Sequence, residues 1–251
     1  MISQTLAPAS TAEIMITAIA PMLEGLGHVA VGSQSPIPGS AALLAQARSN
    51  GQMRVSILGS RDQNPFTDGG RELFDCAGQG RIDAFFLSGG QIDGAANINL
   101  VGTGDIATYP QHKQRFPGSF GSAYLYFVVP RVILFREEHT RRTLVETVDF
   151  ISAPGTSAPE VYRPGGPYAL VTSRCVFGFD KQRARFTLQS LHPGVTVAEI
   201  VASTGFGFDQ PAHVPETPAP DTAILGLLRG EIARSVADTY PEFARKTWGK
   251  V

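Results

Sequence analysis

The first ninety residues alternate short apolar segments with amphipathic ones, and this alternation limits the possible folds more than any other feature of the chain. Residues 28–31, 53–58 and 83–87 are predicted strands, while residues 38–47 and 70–78 have apolar side chains at helical spacing. Consecutive parallel strands need a crossover connection, and a helix is the usual one. We therefore predict an α/β fold with an open, mainly parallel sheet and helices on both faces.

The second half of the sequence predicts a mixed sheet. Residues 122–129 fit a helix or a strand, because the apolar run is short. Further strands are predicted over residues 97–101, 131–135 and 145–151, with an antiparallel pair over residues 169–179 and 185–191. Further helices are predicted from residue 12, with Thr11 as the cap, and over residues 197–204 and 221–236. No linker divides the chain, so we expect one domain over residues 1–251.

Composition and charge argue against several classes of function. The 251 residues carry a formal net charge of −1 with no long basic run, which argues against nucleic-acid binding. No segment has the ~18 apolar residues of a membrane span, and the first ten residues lack the basic start of a signal peptide. Two cysteines cannot form a disulfide framework and fit a reducing cytoplasm. No cluster has metal-ligand spacing, so we expect no metal.

The predicted strand over residues 53–58 ends on Gly59 and Ser60, followed by Arg61 and Asp62. In an open α/β sheet, ligands bind at the carboxyl ends of the strands. Ser60 and Asp62 are therefore candidate catalytic residues, and Gly59 is a candidate pocket-lining residue. Residues 50–66 contain no Glu, His, Cys or Lys, so this strand end offers few other groups for chemistry.

Three other polar groups allow two interpretations each. Gln91, Asp93 and Asn97 could line a pocket, or Asp93 and Asn97 could hydrogen-bond the backbone and hold a turn, which we favour. His192, which precedes a proline, could be a general base, but a structural role is more typical. The charged residues 137–142 could bind a phosphate or form a solvated turn, and we favour the turn.

Gly118, Ser119, Phe120 and Gly121 form a second glycine-rich stretch. Successive backbone N–H groups in such a stretch can bind an anion, or stabilise the oxyanion formed when a thioester carbonyl is attacked. The alternative is the plain start of a helix. A dinucleotide site does not fit the chain, because residues 102–104 lack the third glycine and the following helix of that fingerprint.

Ten short motifs occur in a recognisable order between residues 72 and 206. The most specific are Val-Phe-Gly-Phe-Asp at residues 176–180 and Leu-His-Pro-Gly-Val-Thr at residues 191–196. The others are Glu-Leu-Phe-Asp (72–75), Gly-Arg-Ile-Asp-Ala-Phe-Phe-Leu (80–87), Gln-Ile-Asp (91–93), Asn-Ile-Asn (97–99), Phe-Pro-Gly-Ser (116–119), Val-Asp-Phe-Ile (148–151), Ala-Pro-Gly (153–155) and Thr-Gly-Phe (204–206). In this order they resemble the β subunit of class I CoA-transferases, of the glutaconate CoA-transferase B type.

The resemblance implies a partner α subunit of similar fold, in a heterotetramer or larger complex, with the active site between the subunits. It implies an acyl-CoA substrate, so coenzyme A enters as part of the substrate. In the transferases, a β-subunit glutamate at the end of an early strand attacks the acyl-CoA, forming an anhydride and then a glutamyl-CoA thioester. Backbone N–H groups of a Gly-x-Gly-Gly loop stabilise the oxyanion. The matching loop is residues 118–121, which implies that these residues bind the substrate.

The chain departs from this family pattern at both places. The strand that should carry the glutamate is residues 53–58, and the only carboxylate near its end is Asp62, one methylene shorter and slightly downstream. A nucleophile must lie within about 3–3.5 Å of the carbonyl, so the shorter and displaced side chain of Asp62 would alter the distance that covalent attack requires. Phe120 stands where the loop has a glycine. Divergent members that resemble this chain decarboxylate 3-methylglutaconyl-CoA, or hydrolyse a ring carbon–carbon bond of a steroid-derived CoA thioester.

We therefore predict the β subunit of a catabolic enzyme that acts on an acyl-CoA thioester by decarboxylation or carbon–carbon hydrolysis. One alternative is a true CoA-transferase that uses another residue. The others are a non-catalytic subunit that shapes the α-subunit site, and a small-molecule-binding protein on the same scaffold.

Overall fold

The computed structural model describes residues 7–111 and 113–249. The strands are β1 (His28–Val31), β2 (Arg54–Ile57), β3 (Ala84–Leu87), β4 (Gln91–Ile92), β5 (Ile98–Asn99), β6 (Gly102–Thr103), β7 (Gln114–Arg115), β8 (Arg131–Arg136), β9 (Pro167–Thr172), β10 (Cys175–Asp180) and β11 (Arg185–Leu191). The α-helices are α1 (Thr11–Ile19), α2 (Pro36–Arg48), α3 (Gly69–Gly78), α4 (Ser122–Val128), α5 (Val197–Ser203), α6 (Thr222–Leu227), α7 (Ala233–Thr239) and α8 (Pro241–Trp248). A π-helical turn, Leu228–Ile232, joins α6 to α7.

A seven-stranded sheet forms the centre, in the order β11-β10-β9-β8-β3-β1-β2. The pairs β2–β1, β1–β3, β3–β8 and β8–β9 are parallel. The pairs β9–β10 and β10–β11 are antiparallel. The prediction of a sheet that is mainly parallel, with antiparallel pairs in the C-terminal half of the chain, is therefore confirmed.

Apolar side chains alternate between the two faces of this sheet, because successive residues of a strand point in opposite directions. In β3, Phe86 packs in a cluster with α1, α2 and the C-terminal helical segment. Its neighbours Phe85 and Leu87 pack on the other face with α3, α4 and α5. Helices therefore cover both faces, as predicted. None of the helices formed by the described residues has the length and apolar character of a membrane span.

Two strand predictions are wrong. Residues 145–151 form no strand: the N–H of Val145 donates to Ile92 O at 3.0 Å beside an isolated bridge, but the N–H of Asp149 donates to a side chain, Gln91 Oε1, at 3.0 Å. The predicted strand over residues 169–179 is two strands, since Thr172 Oγ1 accepts from the N–H groups of Arg174 and Cys175, both at 3.1 Å, and forms a turn. The β10–β11 antiparallel pair is confirmed.

Other differences concern the ends of elements. Ser10, rather than Thr11, caps α1, because Ser10 and Glu13 form a reciprocal capping box. The strand predicted over residues 97–101 shortens to β5, and residues 122–129 resolve as the helix α4. The sequence prediction also missed α8, which begins at Pro241, a residue suited to the first turn of a helix.

The order of the strands reverses between β1 and β3. The chain passes from β1 through α2 to β2 on one side, and then through α3 to β3 on the other side of β1. At such a reversal, the connections leave the two strands on opposite faces and open a crevice at the carboxyl edge of the sheet. β1 and β3 share a single ladder pair, Val29 with Ala84, so their backbone pairing does not close this crevice.

A buried carboxylate joins the two ends of the described chain. Glu13 in α1 is 1% exposed, and it accepts hydrogen bonds from Arg229 Nε at 2.7 Å and Nη2 at 2.9 Å. The indole of Trp248 donates to it at 3.2 Å, and the N–H of Ser10 at 2.8 Å. Burial raises the carboxyl pKa, but Arg229 and the N–H of Ser10 outweigh that effect and hold the pKa of Glu13 below its usual range.

We predict that Glu13→Ala lowers the free energy of unfolding by about 3 kcal/mol at pH 7, because it leaves the partly buried Arg229 guanidinium unpaired. The folded-state pKa of Glu13 lies below its unfolded value of 4.5. The stabilisation is therefore complete above that value and is lost as the pH falls through the folded-state pKa. Urea unfolding at pH 7 and at pH 3 measures both effects.

Glu24→Ala is the matched control. Glu24 pairs with Arg48 at 3.4 Å, but the two side chains are 54% and 45% exposed. Exposed ion pairs contribute at most about 1 kcal/mol. Equal losses for Glu13→Ala and Glu24→Ala would contradict the role of Glu13 as the link between the chain ends.

Candidate active site

The crevice between β1 and β3 contains a cavity of about 330 Å³, which we call the switch-point cavity. Four parts of the chain line it: the segment after β1, the ends of the neighbouring strands, α3, and the loop that enters α4. The lining residues are Gly32, Ser33, Gln34, Ser35, Leu58, Gly70, Leu73, Phe74, Phe85, Phe86, Leu87, Ser88, Leu100, Ser119, Phe120, Gly121, Ser122, Leu125 and Phe135. The cavity thus lies where the sheet topology predicts a ligand site.

The lining combines an apolar surface with small neutral polar groups. Leu and Phe side chains supply most of it, and the polar side chains are one glutamine and five serines. No residue of this lining is Asp, Glu, His, Lys, Arg or Cys. In the part of the chain that the structure describes, no group of three or more His, Cys, Asp or Glu is placed to hold a metal ion. The cavity can therefore hold an apolar group and donate hydrogen bonds, but it supplies no charge.

The glycine-rich loop over residues 118–121 borders the cavity and has an unusual backbone. Gly118 has φ +103° and Phe120 has φ +43°, so two residues of the loop have positive φ. The N–H of Gly118 donates to Leu100 O at 2.9 Å, and that of Ser122 donates to Ser119 O at 2.8 Å. Among the described residues, the N–H groups of positions 119–121 have no acceptor. This arrangement suits the predicted stabilisation of an oxyanion.

Two glycines let aromatic rings pack around the loop. A Cβ on Gly121 would overlap the ring of Phe74, and a Cβ on Gly70 would lie 2.9 Å from Cε1 of Phe120. The Phe74 ring centroid lies 5.5 Å from that of Phe120 and 6.0 Å from that of Tyr124. Because Gly70 and Gly121 lack a Cβ, the rings of Phe120 and Phe74 can pack against the backbone and form the aromatic side of the cavity.

Ser60 and Asp62 lie outside the lining of the switch-point cavity. Ser60 is buried, and its Oγ accepts from the N–H of Gln63 at 3.1 Å, while the N–H of Ile57 donates to Gln63 O at 2.8 Å. These bonds close the turn after β2. Gly59 has φ +88°, which lets the chain enter the turn, and Asp62 is exposed. The strand end therefore reaches the cavity through Leu58.

Gln91, Asp93 and Asn97 hydrogen-bond to residues near them in the sequence and to the segment over residues 149–155. Asp93 accepts from the N–H of Asn97 at 3.0 Å and from its Nδ2 at 3.1 Å. Asn97 Oδ1 accepts from the N–H of Gly155 at 3.1 Å, and Gln91 Oε1 accepts from Asn99 Nδ2 at 2.7 Å. These residues do not contribute to the cavity lining, and their bonds agree with the turn-holding role that the sequence favoured.

His192 belongs to a buried polar network near the antiparallel strands. Its Nε2 lies 2.9 Å from Thr172 O, and its Nδ1 lies 2.9 Å from Thr217 Oγ1. His139, which the sequence analysis included only in the charged segment over residues 137–142, contacts Thr172 Oγ1 at 2.8 Å and Thr204 Oγ1 at 3.0 Å. Burial lowers the pKa of His139 to about 4 and lowers that of His192 as well. Both rings are therefore neutral at pH 7 and hold the fold together.

The charged segment near residues 137–142 forms a local ion-pair group. Glu138 Oε1 lies 2.8 Å from Arg142 Nη2, and Glu138 Oε2 lies 3.4 Å from Arg136 Nη2. The hydrogen bonds of Arg142 lower the pKa of Glu138, although burial opposes this effect. The arginine charges are thus partly compensated from within the segment, as a solvated turn requires.

Several cavity residues were not nominated from the sequence. Ser33 and Ser35 follow β1, and Ser88 follows β3. The sequence did contain a signal for these cavity residues, because the segments after both predicted strands contain glycine and serine. The sequence did not show which of these strand ends meet, because that depends on the order of the strands.

Comparison with known proteins shows the family to which the chain belongs. The coenzyme A transferase family matches residues 9–203, which is most of the chain. The chain belongs to the coenzyme A transferase family.

The most informative relatives of this CoA-transferase family member differ in their reactions. A 3-oxoadipate CoA-transferase chain of the B type, from Pseudomonas knackmussii, is 34% identical over 164 residues, which cover 63% of this chain and 62% of the relative's length. The cholesterol ring-cleaving hydrolase IpdB subunit from Rhodococcus jostii is 25% identical over 90% of this chain and 94% of the relative. The crystal structure of IpdAB from that organism has a TM-score of 0.77 at 25% identity, over 89% of this chain and 94% of the matched one.

A decarboxylase shares the fold. The crystal structure of the decarboxylase AibA/AibB has a TM-score of 0.74 and covers 96% of this chain and 99% of the matched chain. Its sequence identity is 22%, so this likeness concerns the fold alone. It confirms the predicted α/β architecture.

We predict that Gly121→Ala lowers the free energy of unfolding by about 1–3 kcal/mol, because the new methyl group must displace the Phe74 ring in a packed surrounding. Gly226→Ala is the control, since nothing lies within 4 Å of its added Cβ and it sits inside α6. That change should raise stability by up to about 1 kcal/mol. Denaturant unfolding measures both, and a Gly121→Ala protein as stable as Gly226→Ala would contradict the packing described.

Proposed function

We propose that this protein is the β subunit of an α/β complex that acts on an acyl-CoA thioester without a glutamyl-CoA intermediate. The observation that carries the proposal is the lining of the switch-point cavity, which contains no carboxylate. The neighbouring strand end, where the family resemblance requires a glutamate, has none over residues 50–66. Decarboxylation is the reaction that this lining supports best.

Decarboxylation needs neither a nucleophile nor a base from this chain. The bond between the carboxylate carbon and the acyl chain breaks, CO2 leaves, and the electron pair is delocalised onto the thioester oxygen as an enolate, which then takes up a proton from water on carbon. An apolar lining destabilises the localised charge of a carboxylate more than the delocalised charge that follows it. The N–H groups of positions 119–121, which have no acceptor among the described residues, would donate to the enolate oxygen.

Carbon–carbon bond hydrolysis is the second candidate. It is favoured by the likeness to the ring-cleaving hydrolase subunit over nearly the full length of both chains. This reaction needs a water molecule and a base. The described lining offers serine hydroxyl groups such as Ser33 and Ser88 but no base, so the base would come from the α subunit.

A partner subunit is part of the proposal. The cavity volume lies at the low end of the ~300–1,000 Å³ typical of ligand sites, so it suits an acyl group rather than a whole CoA thioester. The CoA part would then lie against an α subunit that covers the cavity mouth. Both curated relatives described above are named as subunits, which agrees with such a complex. We place the complex in the cytoplasm, in a catabolic pathway.

The decisive experiment incubates the purified complex with carboxyacyl-CoA thioesters, including 3-methylglutaconyl-CoA. We expect release of CO2 in step with loss of substrate. Borohydride should not inactivate the enzyme during turnover, because it traps only an enzyme-bound thioester. Transfer of CoA to a labelled free acid, together with borohydride inactivation, would contradict the proposal.

Asp62→Asn separates the proposed reaction from a true transferase that uses this carboxylate. If Asp62 were the nucleophile, the change would lower kcat at least about a thousandfold. We expect kcat to change less than about threefold instead, because Asp62 is exposed and lies outside the cavity lining. Steady-state kinetics of the complex gives the answer.

A further inference from the structure

Phe120 combines two properties that a phenylalanine rarely has together. Its φ of +43° lies in the left-handed region, which favours glycine and disfavours bulky side chains. Its side chain is 89% exposed, more than any other large apolar residue of the described chain. Neither the backbone nor the burial of apolar surface within this chain explains a phenylalanine at this position.

The ring nevertheless has a defined place at the cavity. It lines the switch-point cavity, packs against Phe74 at 5.5 Å between centroids, and lies close to the backbone at Gly70. Its backbone N–H belongs to the three donors without an acceptor among the described residues. One residue therefore brings both an apolar ring and a backbone N–H without an acceptor to the lining of the same cavity.

The apolar surface inside the cavity continues to this ring. Leu73 and Leu125 are buried in the core, Phe74 is half-buried, and Phe120 forms the outer end of the same lining. No residue of the lining is charged, so the carbon skeleton of an acyl group in this cavity would meet only apolar and neutral polar side chains. A group that fills this cavity and extends to its mouth would cover the exposed face of Phe120.

We infer that Phe120 is a specificity-determining residue, and that the site selects CoA thioesters whose acyl group has a bulky apolar carbon skeleton over those with short acyl groups. This inference rests on the proposed function, since it concerns the acyl group held in the same cavity. The strained backbone is retained because the ring contacts the acyl group, an interaction that glycine cannot make.

The test uses the α/β complex and three ligands: cyclohexanecarbonyl-CoA, acetyl-CoA and CoA itself. Isothermal titration calorimetry gives the ratio of the acetyl-CoA Kd to the cyclohexanecarbonyl-CoA Kd. We expect a ratio of at least about 10 for the unmodified complex, as the burial of several CH2 groups implies. Phe120→Ala should lower this ratio about tenfold and leave the Kd of CoA unchanged. Phe120→Leu, which keeps an apolar side chain, should recover part of it.

Phe120→Gly distinguishes a role in selecting the acyl group from a purely structural role, because it should change the melting temperature and the selectivity ratio in opposite directions. Glycine accepts a φ of +43° without strain, so this variant should raise the melting temperature while it lowers the selectivity ratio. Tyr162→Ala is the matched control, because Tyr162 is 86% exposed and lies outside the cavity lining. The control should leave the ratio unchanged.

Two results would overturn the inference alone. One is an unchanged ratio in Phe120→Ala while CoA and both thioesters still bind. The other is a weaker association of the two subunits in Phe120→Ala with an unchanged ratio, which would make Phe120 a subunit-contact residue. If neither CoA nor either thioester binds the unmodified complex, the proposed function fails, and the inference fails with it.

Discussion

The site depends on the pairing of β1 and β3, which hydrogen bonds join at the start of the two strands but not at their carboxyl ends. Asp83, just before β3, accepts hydrogen bonds from the N–H groups of Gly27 and His28, both at 2.8 Å, and its own N–H donates to His28 O at 2.9 Å. After the single ladder pair that follows, the two strands are no longer bonded to each other. Their carboxyl ends are therefore left to line a cavity, while pairing with β2 and β8 keeps each strand in the sheet.

The chemistry of the cavity follows from what its lining lacks and what it retains. A transferase of this family needs a carboxylate that attacks the thioester, and the lining of the switch-point cavity offers only neutral side chains. The loop over residues 118–121 still has three backbone N–H groups without an acceptor among the described residues, despite the phenylalanine in place of a glycine. We therefore propose that the site stabilises a developing oxyanion and that no carboxylate of this lining attacks the thioester. Reactions that break a carbon–carbon bond next to a thioester need stabilisation of the oxyanion more than they need covalent attack.

Much of the fold was predictable, because it depends on local periodicity. The three parallel strands, α2 and α3 follow from apolar spacing and from the glycines and serines at strand ends. Residues 145–151 were predicted wrongly, since their alternation resembles that of a strand, while the pairing with β4 stops at Val145 and the N–H of Asp149 donates to the side chain of Gln91. The break between β9 and β10 depends on one threonine hydroxyl, which apolar spacing does not show.

The candidate site was less predictable than the fold. The loop over residues 118–121 was found from its glycines, and three of its four residues line the cavity. Ser33 and Ser88 were not nominated, because their proximity results from the strand order rather than from the spacing of residues. The backbone conformation of Phe120 could not be predicted from the sequence either, because only the structure gives its positive φ.

The measurement that tests the central claim most directly is a crystal structure of the α/β complex with a bound acyl-CoA thioester. Our account predicts that the acyl group fills the switch-point cavity between the ends of β1 and β3. It also predicts that the thioester oxygen lies within about 3.2 Å of an N–H group from positions 119–121. A thioester carbonyl placed instead against Asp62, with the cavity unfilled, would contradict it.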